Sequence, residues 1–142
     1  MKLYFIFTKK GLAVIFILVV MFLIIIGQFS TVNLNYIDGS TNQKRMEYFS
    51  SLGLDVNETA VLEKQTIIPQ KLSGVFLDYS NILKESGFNI SDHLGKNATY
   101  YCYSLKTEPQ KSVNILVVED KIIAGDITDN LSGEITSLTR IK

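Results

Sequence analysis

Apolar residues run without a break from Leu12 to Ile26, and no charge follows until Asp38. A helix rises about 1.5 Å per residue, so roughly 20 residues cross a hydrocarbon core of about 30 Å. Residues 11–29 have that length and are expected to form a transmembrane helix. Polar, charge-poor residues 30–42 follow as a tether. A helix capped by Ser40 or Thr41 is then expected to reach Leu52, with Met46, Phe49 and Leu52 on one face and Gly53 as its C-cap. Ala60 to Ile68 alternates in the manner of a strand, ended by Pro69. Residues 70–86 return to a helical period, with Leu72, Val75, Phe76, Tyr79, Ile82 and Leu83 forming a stripe that faces a core. Gly87 closes this helix and Phe88 packs back on its last turn.

After a loop over 89–97, three strands are expected at 99–106, 112–118 and 122–128. The last two form a hairpin through Glu119-Asp120-Lys121. The tail from Asp129 reads as a short helix or coil. The chain thus predicts an N-terminal transmembrane helix and a small α+β domain of two layers. Both helices would lie on one face of a four-stranded, mostly antiparallel sheet, in the order helix-strand-helix-strand-strand-strand. The expected divisions are 1–10 in the cytoplasm, 11–29 in the membrane, 30–42 as tether and 43–142 as the outer domain.

A cleaved leader would need an apolar run of about 7–15 residues and a small-residue cleavage site. This run is at least that long and ends in Gly27, Gln28, Phe29 and Ser30, with no Ala-x-Ala pattern. It therefore reads as an uncleaved signal anchor. Lys2, Lys9 and Lys10 precede it, which places the N-terminus in the cytoplasm and the later domain outside. Setting those lysines aside leaves 11 of the 14 basic residues against 14 acidic ones, interspersed along the chain. Without a basic stripe to neutralise phosphates, nucleic acid is not an expected partner.

Four stretches carry a resemblance: RMEYFSSLGLDV, TIIPQKLSGVFLDYSNILKESGFNISDHLGK, TYYCYSL and VNILVVEDKIIAGDI. Together they resemble the bacterial family known as domain of unknown function 4830, over residues 44–138. The family pattern has a "FLxxxGW"-like helix end, an "IP" before the second helix, a "GFDLSxYxGK"-like loop and a final hairpin with "GGD". Here Leu54 stands in place of the frequent tryptophan, His93 in place of the loop tyrosine, and Ala124-Gly125-Asp126 in place of the double glycine. The resemblance implies an anchored, extracytoplasmic protein and brings no activity with it.

Candidate chemistry is sparse. His93, Cys102 and Arg140 occur in the order used by thiol transpeptidases, where a base or cation lowers the thiol pKa and an arginine stabilises an oxyanion. The chain is short for such an enzyme and lacks its Thr-Leu-x-Thr-Cys signature, and a lone cysteine in a tyrosine-rich strand is ordinarily a small buried side chain. His93 alone cannot hold zinc. Asp120, Asp126 and Asp129 could meet a calcium ion, although turns favour Asp for local hydrogen bonds in any case. No cofactor is expected. Tyr100, Tyr101 and Tyr103 suggest a stacking surface for a peptide or glycan. The expected function is non-catalytic binding of an envelope protein, a peptide or the wall, through Tyr101, Tyr103, Leu116 and Val118 on an incompletely covered sheet. The alternatives are a hydrolase or transpeptidase using Cys102, or a structural accessory of a membrane complex.

Overall fold

The computed structural model describes residues 36–138, and the expected transmembrane span lies outside them. Among the described residues no helix is long and apolar enough to cross a membrane. The domain is α+β: helices α1 (Asn42–Ser51) and α2 (Val75–Glu85), a 3-10 turn (Ile90–His93), and strands β1 (Leu62–Ile67), β2 (Asn97–Ser104), β3 (Lys111–Val118), β4 (Lys121–Asp129) and β5 (Ile135–Ser137). The strands form one antiparallel sheet in the order β1-β2-β3-β4-β5.

Local chemistry sets the ends of the helices. Thr41 caps α1 by accepting the Lys44 N–H at 3.2 Å. Gly53, at φ 80°, lets the Leu54 N–H turn back to the Phe49 carbonyl at 3.0 Å, and Leu54 is buried there. The end of α2 repeats the device with Gly87 and Phe88, as the sequence leads one to expect. The start of α2 differs from expectation. Gly74 sits at φ 55° and no side chain caps the helix, so it begins at Val75 instead of residue 70.

The sheet has five strands where four were expected. The tail after Asp129 is a hairpin arm. The Asp129 carboxylate accepts the N–H groups of Leu131 and Ser132, at 2.8 and 3.1 Å, and Gly133 at φ 76° completes the reversal into β5. The domain also begins earlier than residue 43. Asp38 bridges Lys121, with Ile122 N–H bonded to the Ile37 carbonyl and Gly39 N–H to the Asp120 carbonyl, both at 2.8 Å. Gly39 lies so close to β3 and β4 that a Cβ there would meet Ile122 Cγ1 at 2.7 Å and Val117 Cγ2 at 3.0 Å.

The two helices lie on opposite faces of the sheet, which corrects the two-layer expectation. Register pairs Tyr103 with Val113 and Val113 with Ile127, so these share a face. Phe49 and Arg45 of α1 pack on that face through Tyr103. Asp126, next along β4, points to the other face, where Tyr79 of α2 bonds to it. Burial along β3 agrees: Ser112 to Ile115 are buried in succession with no alternation, the mark of a strand covered on both sides. The core is accordingly split. Phe49, Tyr103, Val113 and Ile115 fill one half, and Leu83, Ala98 and Ala124 belong to the other.

Candidate functional site

Three strands and α2 bring polar side chains together on the α2 face. Asn114 of β3 stands opposite Asp126 of β4, and Tyr100 of β2 lies beside them in register with Leu116. Asp126 Oδ1 accepts from Asn114 Nδ2 at 2.8 Å and from Thr128 Oγ1 at 2.9 Å. Its Oδ2 accepts from Tyr79 Oη at 2.6 Å. The second Asn114 Nδ2 hydrogen goes to Thr128 Oγ1 at 2.9 Å, and Tyr100 Oη donates to Asn114 Oδ1 at 2.7 Å. Asp126 is 4% exposed, and no cation among the described residues pairs with it. Burial, reinforced by the Asp126 charge, pushes the Tyr79 phenol far above its ordinary range. The Tyr100 phenol is raised as well, by burial first and then by Cys102 and Asp126.

This cluster floors a groove of about 510 Å³, with Phe76 and Tyr79 of α2 along one wall and Leu62, Leu116 and Ile135 across the sheet. The apolar rim is unusually open. Val75 is 81%, Ile67 65% and Phe76 50% exposed, and Leu62 and Ile135 are exposed too. The first turn of α2 was expected to face a core, yet its stripe overhangs the groove instead, and Ser80 and Leu83 are the residues of this helix that are buried. Lone apolar residues on a surface need no explanation, but several around one concavity mark a binding site. A larger hollow of about 640 Å³ beside α1 has none of these side chains on its border and is crossed by the Lys106–Asp55 ion pair at 2.9 Å.

The four residues expected to form one interaction surface do not share one. Tyr101 and Tyr103 lie beneath α1. The Arg45 guanidinium stands 3.8 Å from the centroid of the Tyr101 ring, its Nε donates to Tyr103 Oη at 2.7 Å, and Tyr103 is fully buried. Leu116 lies on the opposite face, in the groove, and Val118 is buried. Of the three β2 tyrosines, Tyr100, set aside from that surface, is the one that faces the groove, opposite Tyr79 of α2.

Among the described residues, His93 and Cys102 are not brought together. Cys102 is half-buried on β2, five residues along from Asn97, a distance of about 16 Å of strand. His93 lies before Asn97, among Lys96, Lys121 and Glu119, where burial and the two lysines hold its pKa down. Arg140 lies outside the described residues. The three aspartates are likewise separated. Asp120 is in the turn before β4, Asp126 in mid-strand and Asp129 at its end, and among the described residues no group of carboxylates, His or Cys is arranged to hold a metal.

Leu116 and Asp126 stood out in the sequence, whereas Tyr79, Asn114 and Thr128 did not stand out as site residues. A usable signal was present: Asn114 interrupts an apolar run and Asp126 follows Ala124-Gly125, and a polar side chain in a buried strand needs a partner. No family model, curated protein or solved structure matches this chain.

Proposed function

We propose that this chain is a membrane-anchored, extracytoplasmic binding module that acts without catalysis and holds its ligand in the groove between α2 and the sheet. The observation that carries this reading is the exposed apolar rim around a concavity whose floor is polar and buried. Its volume is in the range of pockets that take small organic ligands, commonly about 300–1,000 Å³. Anchoring rests on the apolar run at 11–29 and the lysines before it. Membership of the 4830 family rests on the four sequence stretches alone and supplies no activity.

The test uses the full chain in lipid discs, isotope-labelled, with empty discs as the blank. Neutral phenylbutanol is expected to shift the backbone amides of Leu116 and Thr128, and Phe76→Ala, at a half-exposed position outside the buried core, is expected to weaken this binding severalfold. Unmoved groove amides at saturating probe would refute the reading. Protease added to intact cells tests placement: digestion of residues 36–138 supports an outside domain, and full protection rejects it.

A further inference from the structure

The geometry points to a ligand with an ammonium or guanidinium head on an apolar body, its head seated at Asp126. This inference rests on the groove being a binding site and adds which chemistry it selects.

The hydrogens of the floor decide what it can receive. Tyr79 and Thr128 spend their hydroxyl hydrogens on Asp126, Tyr100 spends its own on Asn114, and both Asn114 amide hydrogens go to Asp126 and Thr128. Every side-chain donor of this cluster is committed. What remains is acceptor capacity: a carboxylate can accept about four hydrogen bonds, and Asp126 receives three. The phenolic oxygens of Tyr79 and Tyr100 keep lone pairs as well. A ligand head seated at Asp126 must therefore bring N–H or O–H groups, and a carboxylate or phosphate head at that end would meet only acceptors and a like charge.

Charge narrows the choice. Asp126 is a buried anion held by neutral donors, so a cation beside it gains a strong, poorly screened attraction. The Tyr79 and Tyr100 rings offer further attraction to a positive group. The other charged side chain of the groove, Lys64, is exposed on β1, three strand spacings from β4, about 14 Å away. It repels a cationic head from that end. The head is thereby directed to Asp126 and the apolar body toward Leu62 and Leu116.

The experiment titrates the full chain in lipid discs, at neutral pH, with three probes sharing one tail: phenylbutylamine, phenylbutanol and phenylbutyrate. The expected order in the wild-type chain is amine tightest and carboxylate weakest, at least tenfold apart, with amide shifts centred on Ala124 to Thr128. Asp126→Asn is expected to erase the advantage of the amine over the alcohol while alcohol binding persists. The wild-type series decides the matter even if that variant folds poorly. A carboxylate bound as tightly as the amine would overturn the inference and leave the groove standing as a binding site. Failure of all three probes to move groove amides would overturn the proposed function with it.

Discussion

Arg45 is the side chain that fastens α1 to the sheet. It is 7% exposed and has no carboxylate partner among the described residues. Its charge is instead spread over Tyr103 Oη at 2.7 Å, the Gly39 carbonyl at 2.8 Å and the face of Tyr101. Tyr103 in turn donates to Asn42 at 2.9 Å, so one cation joins the first residues of the domain, the helix and β2. Truncation removes these bonds and leaves a tyrosine hydroxyl with one partner fewer. Arg45→Ala is expected to cost about 2–3 kcal/mol, as for loss of hydrogen bonds to a buried charged group, measured by chemical denaturation. Arg45→Met keeps the apolar stem and is expected to recover part of that loss. None of this could be read from α1 alone. Arg45 occupies an ordinary helical position, and its tyrosine partner is 58 residues away.

At the scale of elements, two hairpins were legible to different degrees. The β3–β4 reversal was readable because a charged triplet separates two β-branched runs. Its cost was not: Glu119 and Asp120 both adopt positive φ, 49° and 65°, a conformation that side chains other than glycine resist. Replacing the pair with Asn-Gly is expected to raise stability by about 1 kcal/mol, read as a higher melting temperature. The same replacement removes the Lys96–Glu119 ion pair, which is exposed and worth little. The β4–β5 hairpin was misread because β5 is a strand of only three residues with two exposed side chains. Leu138 just after it is buried, and Gly125 leaves room for it: a Cβ there would meet Leu138 Cδ2 at 2.5 Å. Leu138→Ala is expected to cost about 2–4 kcal/mol, as for other buried leucines, and to raise amide exchange in β5 before the rest of the sheet opens. The α2 stripe shows the opposite case. Its period was right, but a period alone does not say whether a face meets a core or overhangs a cavity.

For the whole molecule, the controlling fact is that the sheet is covered on both sides. The strand order follows the chain, so the α+β class was readable from alternating and β-branched runs. Which helix covers which face depends on pairing register, which the chain does not display locally. The groove inherits that difficulty, since its floor takes residues from α2, β2, β3 and β4 together. Half-buried phenols also give the molecule a pH limit. Tyr48 is raised to about 12 by burial, and Tyr79 and Tyr100 lie higher for the same first reason. Raised values mean that the native chain keeps protons which the unfolded chain releases above about pH 10, so stability is intact below that pH and falls as pH climbs past it. An alkaline titration is expected to lose far-UV circular dichroism together with a rise in tyrosinate absorbance, and Tyr79→Phe is expected to make the fall with pH shallower.

One border of the sheet, along β1, meets no other strand among the described residues. Leu62 and Ile67 are exposed at its ends, and Glu63 and Lys64 stand between them. Open borders of this kind recruit like borders from other molecules, and interposed charges are the usual deterrent. The two charged residues thus guard against fibrillar stacking when many copies crowd together, and neutralising both is expected to raise the tendency of the chain to form fibrils, read as dye-binding aggregation in a concentrated solution.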